Sequence, residues 1–291
     1  MSEESAYNID KRKVQASFDQ SATRYDEVAY LQREVGNRLV ERLEAIRFSP
    51  ELILDIGAGT GDNSKALRAF YPKASVITTD ISTAMLHQAR NKGSRLDRWR
   101  GKQTFACADM EQLPFADGSI DMIFSNLSVQ WSQDLQAMFA ECRRVLRPGG
   151  MLMYTTLGPD TLKELRASWQ QVDDAVHVNA FMDMHDIGDA MMRAQLSEPV
   201  MDMEYFTLTY HEASQLMREL KVLGAHNINA GRPKALMGKQ RLHKMYAAYE
   251  AYRREGLLPA TYEVVYGHAW APEHGIQQQQ QGDVTTISLQ Q

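Results

Sequence analysis

Residues 52–70 read Leu-Ile-Leu-Asp-Ile-Gly-Ala-Gly-Thr-Gly-Asp-Asn-Ser-Lys-Ala-Leu-Arg-Ala-Phe, with the turn Asp55-Ile56-Gly57-Ala58-Gly59-Thr60-Gly61 at their centre. The short apolar run Leu52–Ile56 is bounded by glycines, as expected of a strand buried on both faces of a parallel sheet. Glycines allow a tight turn and let a ligand approach the backbone. The helix expected over Asp62–Phe70 offers unpaired N–H groups and a positive dipole end at its start. A dinucleotide-binding turn would read G-x-G-x-x-G and hold a pyrophosphate. This one reads G-x-G-x-G after an acid. Asp55 would repel a pyrophosphate but suits an ammonium.

Outward from this turn, strands and helices alternate. Strands are predicted at Ala74–Thr79, Thr104–Ala108, Ile120–Ser125 and Met151–Thr156, and helices at Thr83–Asn91 and Asp134–Leu146, the last closed by Arg147-Pro148-Gly149-Gly150. This rhythm predicts an α/β fold, a doubly wound and mostly parallel sheet covered on both faces. Upstream, Val28, Leu31, Val35, Leu39 and Leu43 predict a helix over about Phe18–Arg47, in an N-terminal segment 1–48. The main domain is expected over 49–272, with a helical lid at about 157–195 and a second insertion at about 224–257. Strands are expected at Val200–Tyr210 and Thr261–Trp270, helices at Glu212–Leu223 and Lys239–Arg254. The tail 273–291, with five consecutive glutamines, has no pattern and is expected to be disordered.

Composition removes several classes. The 291 residues carry 32 basic and 37 acidic side chains, a net charge of −5, which disfavours a general nucleic-acid binder. Two cysteines exclude a disulfide framework. No apolar run is long enough to span a membrane, and Met1–Ser17 lacks the apolar core of a secretory signal. The reducing cytoplasm is the expected compartment.

Two further acids follow predicted strands. Asp80, 19 residues past Gly61, is placed to accept both hydroxyls of a ribose, with Ile81 beside it and Met85 available to cover an adenine face. Asp109, followed by Met110, is placed to accept an adenine amino group. A nucleoside, an ammonium and no phosphate describe S-adenosylmethionine. The D-x-G-x-G-x-G turn resembles motif I of the class I S-adenosylmethionine-dependent methyltransferases. The expected cofactor set is Asp55, Gly57, Ala58, Gly59, Gly61, Asp80, Ile81, Met85, Asp109, Met110 and Asn126, the last touching the methionine part.

A narrower resemblance rests on Ser125-Asn-Leu-Ser-Val-Gln-Trp131, on Thr155-Thr-Leu-Gly-Pro-Asp-Thr-Leu-Lys-Glu-Leu-Arg166, and on Trp169, Val172-Asp173 and His177-Val-Asn-Ala-Phe181. Leu220-Lys-x-x-Gly224-Ala-His-Asn227, Gly231-Arg232, Leu258–Trp270 and the N-terminal Phe18-x5-Arg24-Tyr25-Asp26 also fit. Together they resemble the malonyl-[acyl-carrier protein] O-methyltransferases of biotin synthesis, over about residues 8 to 271. The resemblance implies methyl transfer to the free carboxylate of a malonyl thioester on an acyl carrier protein with a phosphopantetheine arm, the ester masking the charge for chain elongation. It implies no metal and no general base, because a malonyl carboxylate is already ionised near pH 7. Substrate contacts are expected from Tyr25, Trp131, Arg144, Phe181 and Arg232, with Arg143 a further candidate for a carboxylate fork. An acidic carrier would dock on a basic surface: Lys11-Arg12-Lys13, Arg33 with Arg38, Arg241 with Lys244, or Arg253 with Arg254. A monomer is expected. The rivals are a related assembly factor that hydroxylates a protein arginine, a small-molecule methyltransferase and a non-catalytic cofactor-binding regulator.

Overall fold

The computed structural model describes residues 10–225 and 238–273. Asp10 caps the first helix, α1 (Lys11–Ser21), by accepting the Arg12 N–H at 3.1 Å. α2 (Tyr25–Val28) and α3 (Tyr30–Arg42) follow. The single helix expected over 18–47 is thus broken twice, at residues 22–24 and at Ala29, whose ψ of 41° leaves the helical region. Each piece covers a different surface. α3 buries Leu31, Val35 and Leu39 in the core, whereas α1 leaves the core and crosses to the sheet's carboxyl edge.

The strand–turn–helix at the centre forms as read: β1 (Leu52–Ile56) runs into α4 (Asp62–Phe70). β2 (Ser75–Asp80), α5 (Thr83–Lys92), a short α6 (Arg95–Trp99), β3 (Gln103–Cys107), β4 (Ile120–Ser125), α7 (Leu135–Val145) and β5 (Leu146–Leu157) continue the alternation. Then come α8 (Lys163–Gln170), α9 (Met184–Arg193), β6 (Ser197–Tyr210), α10 (Ala213–Val222), α11 (Lys239–Tyr249) and β7 (Leu258–Trp270).

The seven strands lie in the order β3-β2-β1-β4-β5-β7-β6. β1 to β5 pair in parallel; β7 is antiparallel to both β5 and β6. The order reverses between β1 and β4, and a crevice outside the strand ends at such a reversal is where open α/β sheets bind ligands. Alternate side chains serve opposite faces. Ile53, Met122, Phe124 and Met153 pack with α3, α4, α8, α10 and α11, while Leu54, Ile123, Leu152 and Tyr154 pack with α7 and α9.

The stretch 157–195, read as a helical lid, therefore divides between faces. Leu165 and Trp169 of α8 join one core, and Ile187 and Met191 of α9 join the other. The connection 171–183 passes between them and carries Phe181. Met191, within the methionine-rich run, fills space under Tyr154, whose hydroxyl lies 3.4 Å from its sulfur.

Candidate active site

The turn after β1 divides its duties among its residues. Asp55 is wholly buried at the end of β1, where Oδ2 accepts from the Ser64 hydroxyl at 2.5 Å. Its Oδ1 meets no hydrogen-bond partner among the described residues. Burial, with the Asp80 charge adding to it, pushes the Asp55 pKa up to about 7. This unmet acceptor lies beneath the turn, outside the lining of the cleft. Gly57 adopts φ +65°, and a Cβ there would lie 2.3 Å from that of Ser128, so this glycine lets the β1 and β4 loops touch. Gly59, at φ +54°, lines the cleft, where the one neighbour a Cβ would meet is the Tyr25 ring at 3.9 Å. Gly61 packs against Ala89 of α5, and the Ala58 N–H bonds to the Thr79 carbonyl at 2.9 Å. Asp55, Ala58 and Gly61 thus shape the turn from behind, while Gly57 and Gly59 reach the cleft.

Asp80 ends β2 and faces that cleft. Its two oxygens accept from the N–H groups of Gly59 at 2.9 Å and Ser82 at 2.8 Å, and burial raises its pKa to about 6. It therefore braces the glycine turn while its remaining lone pairs stay available for ribose hydroxyls. Ile81, Met85, Asp109, Met110 and Asn126 line the same cleft, with Met85 buried. Asp109 holds Lys11 in an ion pair at 2.6 Å. The Asn126 amide is tied into the scaffold, donating to the Gln32 carbonyl and accepting from the Thr155 hydroxyl, both at 2.8 Å. Tyr25 and Trp131, expected on the substrate side, stand in this cleft too. Burial, reinforced by Asp80 and Asp26, pushes the Tyr25 hydroxyl pKa upward, so it stays protonated at neutral pH.

The other expected substrate residues lie apart. Arg144 sits at the far end of α7, where it pairs with Glu141 at 2.7 Å and Asp117 at 2.6 Å and donates to the carbonyls of Leu113 and Phe115. Leu113, Phe115 and Asp117 precede β4, at the amino edge of the sheet, so Arg144 staples a loop and does not face the cleft. Phe181 lines a second cleft beside the first, together with Gln130 and Thr156. Arg232 lies outside the described residues.

α1 brings residues that spacing alone did not reveal. Lys11, Val14 and Phe18 close one wall of the first cleft. Phe18 meets Trp131 edge to face, ring centroids 5.4 Å apart. Lys11 bridges Asp109 and Glu111, Gln15 donates to the Ile81 carbonyl, and Asp19 accepts from the Ser82 hydroxyl. The i, i+3, i+4, i+7 spacing of Lys11, Val14, Gln15 and Phe18 put them on one helix face, but nothing local said what that face would meet. Lys11 is consequently an inward tether, not part of a free docking surface. Lys13 pairs with Asp10, Arg38 with Glu34 and Glu204, and Arg253 with Glu250.

Comparison with known proteins places the chain. The methyltransferase domain family matches residues 54–154. The malonyl-[acyl-carrier protein] O-methyltransferase of Laribacter hongkongensis is 51% identical over 273 residues, covering 92% of this chain and 91% of that protein. The protein of the same name from Methylovorus is 50% identical, with the same coverage. Among solved structures, the YcgJ protein of Bacillus subtilis superposes with a TM-score of 0.56 at 15% identity, covering 83% of this chain and 99% of that one, a likeness of fold.

Proposed function

Because the chain belongs to the malonyl-[acyl-carrier protein] O-methyltransferase family, we propose that it methylates the free carboxylate of malonyl-acyl carrier protein, an early step of biotin synthesis. Its fold is that of the class I methyltransferases, for which S-adenosylmethionine is the methyl donor. The observation that carries the reading is the cleft at the strand reversal. It joins Gly59, Asp80, Asp109 and Asn126 from four different strand ends under a wall of Phe18 and Trp131.

When bound, the cofactor supplies an electrophilic methyl on a sulfonium. Asp80 would accept the ribose hydroxyls and Asp109 the adenine amino group, while Gly57 and Gly59 leave room in the turn for the rest of the cofactor. Phe18 and Trp131 exclude water, which strengthens the attraction between a carboxylate and a sulfonium. Alignment of two bound reactants supplies the remaining acceleration. The malonyl carboxylate arrives ionised, so no proton has to move. Among the described residues lining this cleft there is no histidine or cysteine.

We infer further that the connection 171–183, carrying Phe181, acts as the lid, and that the enzyme is a cytoplasmic monomer that does not bind nucleic acid. Its net charge is −5. No helix among the described residues is long and apolar enough to cross a membrane. The carrier would dock on basic residues that make no ion pair among the described residues, such as Arg12, Lys244 and Arg254. Incubation with labelled S-adenosylmethionine and malonyl-carrier, read by intact mass, tests the central reading. Gain of one methyl, removed by mild base, supports the ester; no gain on any malonyl thioester overturns it.

A further inference from the structure

One turn of 3-10 helix, Val129–Trp131, partitions two clefts at the carboxyl edge of the sheet. Leu127, Ser128 and Trp131 line the cofactor cleft. Val129 and Gln130 line the second, of about 850 Å³, with Gln133, Gln136, Thr156 and Phe181. For methyl transfer, an arm seated in the second cleft must bring its carboxylate past this turn into contact with the cofactor.

The chemistry of the second cleft is that of amides, hydroxyls and an aromatic ring. Of its charged groups, Glu111 pairs with Lys11 at 2.6 Å, the Asp134 carboxylate accepts from the Ala137 N–H at the start of α7, Arg193 pairs with Asp189 at 3.6 Å, and Asp186 stands exposed on the first turn of α9. Such walls match a slender ligand that carries secondary amides and no charge along its length, which describes a pantetheine arm. Gln130 stands on the partition itself. Its Nε2 donates to the Leu127 carbonyl at 2.7 Å, and its Oε1 accepts from the Thr156 hydroxyl at 3.4 Å. These bonds hold the amide in place and use one of its two N–H donors. A neutral donor suits this reaction. An arginine fork would bind the carboxylate more strongly but would draw charge from the oxygen that must attack the methyl.

We propose that the second cleft seats the uncharged, thioester-bearing arm of the substrate, and that Gln130 donates its second amide N–H to the malonyl carboxylate and so sets specificity. This rests on the methylation reading above. The test uses the full chain, with malonyl-pantetheine and malonyl-carrier as substrates and calorimetric titration of S-adenosylmethionine. Gln136 is exposed on the first turn of α7, so Gln136→Trp obstructs the cleft without entering the core. It is expected to raise KM for malonyl-pantetheine about tenfold. Gln130→Leu, similar in size but without the amide, is expected to lower kcat about tenfold. Both should bind S-adenosylmethionine within about twofold of the parent, which also reports that they are folded. Unchanged KM in Gln136→Trp, unchanged kcat in Gln130→Leu, or a parallel loss of cofactor affinity overturns the cleft assignment while the parent's activity preserves the methylation reading. A parent inactive on every malonyl thioester overturns both.

Discussion

Gly57 and Gly59 look alike in the sequence and differ in consequence. A methyl group at Gly57 collides with Ser128, whereas one at Gly59 points into the cleft at the strand reversal. Gly57→Ala should therefore be a folding lesion. Gly59→Ala should cost only the left-handed backbone penalty of about 1–2 kcal/mol yet weaken S-adenosylmethionine binding by about tenfold or more. Thermal melts beside calorimetric titrations separate the two, and a Gly59→Ala protein with parental affinity would remove that residue from the site. Asp80 has a double role, bracing the Gly59 N–H and facing the cleft. Asp80→Asn keeps the shape but removes the charge and an acceptor, and should weaken cofactor affinity by roughly 1.5–3 kcal/mol, the scale of hydrogen bonds to charged groups. Affinity equal to the parent's would mean that no ribose hydroxyl reaches it.

At the scale of elements, α1 behaves as a strap. It is held across the cleft by Lys11 at one end and by Asp19 at the other, where Asp19 accepts from the Ser82 hydroxyl and the Ala84 N–H. The Lys11 pairs are partly exposed, so removing them should cost at most about 1 kcal/mol of stability, or about 3 °C in Tm for a domain of this size. The effect on the strap should be larger than the effect on the fold. Lys11→Met is expected to speed S-adenosylmethionine release several-fold, measured by stopped-flow displacement. Parental release rates would show that α1 does not gate the cleft. Two breaks in the N-terminal helical pattern make this strap possible. The spacing of Val28, Leu31, Val35 and Leu39 signalled one amphipathic face and contained no signal for the turn at 22–24, because neither a proline nor a glycine marks it. α6 at Arg95–Trp99 went unforeseen for a related reason: its Trp99 is 84% exposed, so it has little apolar periodicity to read.

For the whole molecule, the two buried carboxylates couple cofactor chemistry to stability. Asp55 and Asp80 titrate near 7 and 6 in the folded chain and near 3.8 when unfolded, chiefly because burial penalises their charge. Between those values the folded state binds more protons than the unfolded state, so their contribution to stability rises as pH falls from about 7 towards 4. His268, whose pKa burial lowers, works in the opposite sense below about 6.5. Comparison with a variant isolates the carboxylate. Asp55→Asn should gain stability relative to the parent as pH rises from 5 to 7, by no more than about 1.4 kcal/mol per pH unit. Denaturant titrations at several pH values read this difference, and a gap independent of pH would place the Asp55 titration elsewhere.

The alternating strands and helices, the glycine turn and the acids at three strand ends were legible along the chain, because each follows from local rules of periodicity and turn chemistry. Those rules put Asp55, Gly59, Asp80 and Asp109 at one edge of a parallel sheet. Which glycine faces the cleft and which meets Ser128 was not legible, since that depends on the packing of loops 71 residues apart in the chain. The same holds for charge. Arg144 and Lys11 are each one more basic residue in the sequence, and only the folded chain pairs one with Glu141 and Asp117 at the amino edge and the other with Asp109 and Glu111 across the cleft. Periodicity reports which face of an element is apolar. Tertiary packing decides which partner each polar side chain finds, because the energy of an ion pair depends on distances and burial that no local pattern encodes.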